Sequence, residues 1–294
     1  MQRAFLLGVA SYRDPNIPDL DFIANDLDKV GASLEKRGFT VSRASSTAPT
    51  RNEVIAEVES FIASGRREET LVVYLSGHGA HSAGVDYLVP SDAVQHVHDL
   101  GDACVRVDKW AATISDTSAA NVVFLVDACR EGFDQATVMG AVGRRRAWSR
   151  GRIAVSAHRK WAFVFSCGSG QVSSYVSEDD GLSWSAFSKA FCSVLESDDC
   201  PGDVHGVKDL LQEKLNRILS EQRKPGQSVT VRSEHSSSSI TLIPGLPHVP
   251  PDPAETSGGD SGAQDSGWVE NAKKAGYTTL GFFLGALGNN SGNQ

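Results

Sequence analysis

The chain has 294 residues, 40% of them hydrophobic and 22% charged, enough to bury one full α/β core with little left for a second. A formal net charge of −8 argues against nonspecific nucleic-acid binding. The five cysteines, Cys104, Cys129, Cys167, Cys192 and Cys200, form no C-x-x-C pair and no zinc-like spacing with His, so they read as reduced thiols of a cytoplasmic protein. The first apolar run is too short for a signal peptide, and no segment reaches the roughly 20 apolar residues of a membrane span.

Ala4 to Ala10 is apolar enough for a buried strand, and Ser11 to Asp19, with two prolines and an Asn, is the loop at its carboxyl end. Such a loop lines the site in an open α/β sheet. Leu20, Ile23, Leu27, Val30 and Leu34 recur at helical spacing through Asp21 to Arg37, and Gly38 stops the helix. Phe39 to Ser45 is a second strand, after which Thr50-Arg51-Asn52-Glu53 has the capping-box pattern that opens a helix over Val54 to Ala63. Thr70 to Leu75 is a third strand, and it runs directly into Ser76-Gly77-His78-Gly79. The βαβαβ pattern with short loops is that of a doubly wound sheet.

Val85 to Ala93 reads as a short hairpin, and Val105 to Thr117 as a helix or strand-to-helix entry carrying Trp110. Val122 to Val126 is β-branched and aromatic on both faces, the pattern of an interior parallel strand, and it ends in Asp127-Ala128-Cys129-Arg130. The span 132–160 carries Arg144, Arg145, Arg146, Arg150, Arg152 and Arg159 among small residues. Trp161 to Cys167 is the next strand. A helix with Phe187, Ala190, Phe191 and Val194 on one face follows, then one with Val207, Leu210, Leu211, Leu215 and Ile218. Ser228 to Val231 and Ser239 to Ile243 look like short closing strands. From Pro244 prolines and then Gly, Ser and Asp dominate to Gly267, which reads as a disordered linker, and 268–294 is a partly apolar tail. Docking of that tail on a protein partner or a membrane surface are both open.

Two apolar strands thus end in chemistry, one with His78 and one with Cys129, 51 positions apart. A Cys at a strand end with a His facing it breaks a peptide bond when the thiolate attacks the carbonyl and the His protonates the leaving amine. Ser-Gly-His-Gly followed at this distance by Asp-Ala-Cys-Arg resembles the caspase-like cysteine proteases of peptidase family C14. Asp127, two before the Cys, is similar to the metacaspase and bacterial caspase-homologue branch. The resemblance covers roughly residues 4 to 243, which sets the expected catalytic domain at 1–243. It implies a caspase-like sandwich, a mostly parallel central sheet flanked by helices on both faces.

The resemblance makes Cys129 the nucleophile and His78 the acid/base, with the Gly79 and Cys129 N–H groups holding the oxyanion. No third side chain is evident to orient His78. Asp26, early in the first helix, is implied in the substrate pocket. The other reading of it is a carboxylate favoured by the helix dipole. The Gly-x-Ser-Trp entry at Ser183 and Trp184 resembles that of the late caspase helix, whose preceding loop contacts the substrate peptide, and the other reading of Trp184 is an ordinary core anchor. The 132–160 span falls where the family holds its processing loop, against a plain solvated basic segment.

Asp86, Asp92, Asp99 and Asp102 lie where some metacaspases bind calcium, and the alternative is a solvated acidic loop. His81, three residues after His78, lacks the companions of a closed zinc site, so no metal or other cofactor is otherwise expected. The resemblance puts Asp127 at the base of the substrate pocket, joined by Asp26, where a carboxylate attracts a guanidinium and repels an aspartate, which predicts cleavage after Arg or Lys; the other reading of Asp127 is a helix-capping or hinge residue. The implied partner is a protein substrate, such as a gasdermin-like or other toxic precursor in bacterial defence or cell death. A catalytically silent module of the same fold, recruiting partners through its cleft or tail, is the competing class. A flavodoxin-like ligand binder lacks its Gly-rich phosphate loop.

Overall fold

The computed structural model describes residues 2–82, 84–94, 100–130, 160–178, 181–233 and 235–248. The basic span from Arg144 to Arg159, Asp99 and the tail from 249 onward lie outside them. The elements follow in chain order as β1 (Gln2–Gly8), α1 (Ile23–Lys36), β2 (Thr40–Arg43), α2 (Arg51–Ala63) and β3 (Thr70–Gly77). Next come β4 (Gly79–Ser82), β5 (Val85–Leu88), α3 (Leu100–Ala103), β6 (Val105–Arg106), α4 (Ala111–Asp116) and β7 (Asn121–Ala128). The described chain closes with β8 (Lys160–Phe165), β9 (Tyr175–Ser177), β10 (Ser183–Ser185), α5 (Ala186–Leu195), α6 (Val204–Glu221) and β11 (Thr230–Ser233).

Six strands form the central sheet in the order β11-β8-β7-β3-β1-β2. All neighbours are parallel except β11, which runs antiparallel to β8 at the edge. Alternation along each strand sorts the side chains between two cores, because successive residues of a strand point to opposite faces. Ala4, Leu6, Val72, Tyr74, Val123, Leu125, Ala162 and Val164 face α1, α5 and α6. Phe5, Leu7, Leu71, Val73, Val122, Phe124, Trp161 and Phe163 face α2 and α4. Helices therefore cover both faces, which is why these strands read as continuous apolar runs.

The helix starts follow local chemistry. Thr50 and Glu53 form the expected capping box, the Glu53 N–H donating to Thr50 Oγ1 at 3.4 Å and the Thr50 N–H to Glu53 Oε2 at 2.7 Å. Ser185 caps α5 through the Phe187 N–H (3.1 Å), and Asp203 caps α6 through the Gly206 N–H (2.9 Å). Two small antiparallel sheets, β4-β5-β6 and β10-β9, stand outside the main one.

One expectation is corrected. Ser239 to Ile243 is not a strand: Ser237–Ser239 forms a 3-10 turn, Thr241 makes one isolated bridge to Asp203, and the segment bonds to the stretch before α6, the Val204 N–H donating to the Ile240 carbonyl at 3.0 Å and the Leu242 N–H to the Gly202 carbonyl at 2.9 Å. The packed chain also runs past Ile243. The Gly202 N–H donates to the Pro247 carbonyl at 2.7 Å, and Leu246 packs on the core that holds α6.

Phe124 sits between Trp110 and Phe163, with ring centroids 5.6 and 4.5 Å away, and all three are buried. Phe124→Ala removes the middle of this stack and is expected to cost about 3–5 kcal/mol. Urea unfolding would show it as a lower midpoint at unchanged slope.

Candidate active site

The register between β3 and β7 decides where the two candidate reactive residues stand. Gly77 pairs with Ala128 at the end of the ladder, so His78 and Cys129 each leave the sheet one position later, side by side at the carboxyl ends of neighbouring parallel strands. Gly77 has φ +154°, and a Cβ there would lie 3.3 Å from Leu88, Val9 and the Tyr12 hydroxyl, so the turn that releases His78 from the sheet requires glycine. At Gly79 a Cβ would come to 2.3 Å from the Cys129 carbonyl oxygen and 3.3 Å from its nitrogen. The backbone of β4 therefore lies directly against the Cys129 peptide.

The third partner of the histidine is a backbone group. His78 Nε2–H donates to the Pro18 carbonyl at 2.9 Å, which leaves Nδ1 as the basic nitrogen of the neutral ring. Burial pushes the His78 pKa below its ordinary value, and the Pro18 carbonyl, which favours the imidazolium, offsets part of that shift. The His78 N–H donates to the Tyr12 hydroxyl at 3.0 Å. No pattern of side chains announces a carbonyl acceptor. The only signal for Pro18 and Tyr12 was their position in the loop that follows β1.

Among the five cysteines, Cys129 alone is not buried. Its Sγ lies 4.0 Å from the Ser173 carbonyl. Cys167 also follows a strand, but its thiol is enclosed and donates to the Ala128 and Gln171 carbonyls, each at 3.4 Å. Burial, with a further push from Cys129, raises its pKa to about 12, which leaves it a poor nucleophile.

Arg130, next to Cys129, grips Asp86 with two bonds of 2.7 and 3.1 Å, while His81 Nδ1 meets the same carboxylate at 2.7 Å. Although burial works against ionisation, these partners hold the Asp86 carboxyl below its ordinary value. Asp92 accepts the Arg51 N–H at 2.8 Å. Among the described residues no three acidic, His or Cys side chains converge. Asp86 is thus engaged in an internal ion pair with Arg130 and His81.

Asp127 and Asp26 come together in the core beneath the edge of the sheet. Asp127 accepts from the Ser173 hydroxyl at 2.9 Å, the Ser188 hydroxyl at 3.1 Å and the Tyr74 hydroxyl at 3.3 Å. Burial raises its pKa, and the surrounding serine hydroxyls oppose the shift. Asp26 Oδ1 accepts the Ser185 N–H at 3.0 Å, whereas its Oδ2 is buried with no hydrogen-bond partner. Burial, reinforced by the Asp127 charge, raises the Asp26 pKa to about 8. The two carboxyls form a buried acidic pair whose hydrogen-bond donors are hydroxyls and one backbone N–H.

Ser183 and Trp184 border it on β10. The Ser183 carbonyl accepts from Asn25 Nδ2 at 3.1 Å, and Trp184 Nε1–H donates to Glu178 Oε1 at 3.0 Å. Two lysines, Lys29 and Lys189, stand over the Trp184 ring at 5.9 and 5.6 Å. Tyr74, Ser173, Ser185 and Ser188, which hold the two carboxyls, carried no sequence signal of their own.

A mostly parallel sheet between two helical layers, with a His and an exposed-edge Cys leaving adjacent strands, is the frame of a cysteine hydrolase. The family model described as the caspase domain of peptidase family C14 matches residues 1–241, and the chain belongs to that family of cysteine peptidases. Solved structures agree on the fold. Caspase-1 from Spodoptera frugiperda is similar with a TM-score of 0.56 at 16% identity, over 82% of this chain and 88% of that one. Its pro form matches with a TM-score of 0.56 at 15% identity, over 82% and 89%. A protein from Geobacter sulfurreducens matches with a TM-score of 0.55 at 15% identity, over 84% and 99%. No curated protein matches in sequence. Among the described residues no helix is long and apolar enough to cross a membrane.

Gly79→Ala would drive β4 off the Cys129 peptide by the contact given above. A displacement of this kind is expected to cost about a hundredfold in peptide turnover. Steady-state kinetics, with circular dichroism to confirm the retained fold, checks it.

Proposed function

We propose that this peptidase cleaves after Arg or Lys, with Cys129 as nucleophile and His78 as acid/base. In the first step the Cys129 thiol gives its proton to His78 Nδ1, and the sulfur attacks the scissile carbonyl carbon. The Gly79 and Cys129 N–H groups receive the developing oxyanion. The imidazolium then protonates the leaving amine as the C–N bond breaks, leaving a thioester that water hydrolyses with His78 as base. The Pro18 carbonyl supports this cycle, because it accepts Nε2–H in the neutral ring and stabilises the charge when Nδ1 is protonated.

The observation that carries the specificity is the buried Asp26 and Asp127 pair with one oxygen unpartnered. A substrate guanidinium or ammonium supplies the missing donors and the missing charge. Each such contact contributes about 1.5–3 kcal/mol, roughly one to two powers of ten in selectivity. A substrate aspartate would add a third carboxylate to the pair and is excluded. The serines around Asp127 hold it in place, and Ser183 and Trp184 form the rim that the substrate peptide crosses. By family analogy the natural target is a protein precursor whose toxic or pore-forming part is freed by one cut after a basic residue. Such a role belongs to defence or cell death.

Cys129→Ala is expected to abolish hydrolysis and His78→Ala nearly to do so, while Cys167→Ala keeps most of it. Loss of turnover in a folded Cys167→Ala chain with Cys129→Ala still active would reverse the assignment.

Fluorogenic peptides ending in Arg are expected to turn over and those ending in Asp to be inert. Asp127→Asn and Asp26→Asn should each lower kcat/KM for Arg by about ten- to a hundredfold. Faster release from the Asp peptide, or Arg turnover unchanged in both variants, rejects this specificity.

The pH profile of kcat/KM separates the two groups. Its acid limb should fall below pH 6.5, since His78 is held under its ordinary value and must be neutral to accept the thiol proton. For Arg peptides kcat/KM should then rise again through about pH 8, because Asp26 binds a cation only when ionised. Asp26→Asn should remove this upper rise and leave the acid limb in place.

A further inference from the structure

We infer that Tyr12 and Asp19 are positioning residues for His78: they clasp the loop after β1 so that the Pro18 carbonyl and the Tyr12 hydroxyl hold the histidine from two sides. This rests on the reading of His78 and Cys129 as the reacting pair and adds what keeps the histidine in register.

The loop is tied at every turn. The Tyr12 N–H donates to Asp19 Oδ1 at 2.9 Å, and the Leu20 N–H to the Ala10 carbonyl at 2.8 Å. Between these two ties lies Pro18, whose carbonyl meets His78 Nε2. The Arg13 N–H donates to the Ser91 carbonyl at 2.8 Å, which fastens the outer side of the loop to the segment after β5.

Tyr12 then reaches back under the histidine. Its hydroxyl donates to the Val9 carbonyl at 3.0 Å and accepts the His78 N–H at 3.0 Å. One proton and one lone pair of the hydroxyl are thereby both used. Its ring lies 5.0 Å from the imidazole, tilted by 47°. Burial raises the Tyr12 pKa far above its ordinary value, so the hydroxyl stays protonated and keeps its donation to Val9.

The physical need follows from the way His78 leaves the sheet. Gly77, immediately before it, has no side chain to fix the turn, and a backbone carbonyl can orient an imidazole only if its own loop is rigid. A carboxylate orienter would be held by its own side-chain rotamer, whereas Pro18 depends on the bonds that Asp19 and Tyr12 make. Neither residue touches the scissile bond.

The test uses the full chain and three variants. Tyr12→Phe removes the acceptor of the His78 N–H, Asp19→Ala opens the clasp, and Asp19→Asn keeps an oxygen that still accepts the Tyr12 N–H. Tyr12→Phe and Asp19→Ala are expected to lower kcat about tenfold with KM within about twofold, a fraction of the general acid–base contribution. In both, the acid limb of kcat/KM should move to lower pH, because an imidazolium that loses its carbonyl acceptor is less stable. Asp19→Asn should recover kcat to within about threefold.

Folded variants with wild-type kcat and an unmoved acid limb overturn the inference, as does an Asp19→Asn chain as impaired as Asp19→Ala. A lowered urea midpoint with an unmoved limb also overturns it, since that is the mark of a merely structural loop. Should Tyr12→Phe not fold, the Asp19 pair decides the question alone. A wild-type chain without turnover on any basic peptide would remove the proteolytic reading and this inference together. Active wild type with indifferent variants removes only the inference.

Discussion

The ladder between β3 and β7 is the constraint on which the site depends. From Thr70 with Asn121 to Gly77 with Ala128 the pairing is unbroken, and it is locked by burial on both faces. A slip of one residue would move Val72 and Tyr74 into the wrong core together with Val123 and Leu125. The same alternation that sorts the two cores therefore delivers His78 and Cys129 to one level of the sheet edge. Chemistry at the edge is a by-product of hydrophobic register, which is why the candidate nucleophile and base need no direct covalent or ionic tie between their strands.

The second element is a polar one inside the core. Asp26 and Asp127 sit where a domain selected only for stability would place apolar groups, since a buried carboxyl without full compensation is costly. Three hydroxyls satisfy Asp127, whereas Asp26 keeps one oxygen unpartnered. Such a deficit is the feature on which the proposed preference for a basic substrate side chain rests.

Around the edge, backbone groups do work that elsewhere falls to side chains. The Pro18 carbonyl orients His78, the Gly79 backbone touches the Cys129 peptide, and the Arg130 backbone exchanges bonds with Gly170 and Gln171 at 2.8 and 3.0 Å. A strong side-chain tie joins Arg130 to Asp86, which fastens β5 to the residue after Cys129 and stacks the guanidinium 4.4 Å above Phe165. Two partners and a low exposure make this pair a fixed strut rather than a surface ion pair of small worth.

Much of the architecture was legible in the residues alone. Apolar runs of strand length, helical spacing at Ile23 to Leu34 and the Thr50 to Glu53 capping box are local signals, set by side-chain period and by backbone groups a few positions apart. His78 and Cys129 stood out as candidates because each lies just after an apolar run and the two motifs together resemble the caspase-like pattern. The closing segment at Ser239 to Ile243 was misread because a short apolar stretch does not say which neighbour it will bond. What only the tertiary structure decided are contacts between residues far apart in the chain: Pro18 against His78, Tyr12 beneath it, Asp86 in the grip of Arg130, and Ser185 and Ser188 around two acids. A carbonyl is present at every position and a serine at many, so neither stands out in a sequence. Their meaning comes from which strand ends the two hydrophobic cores bring together.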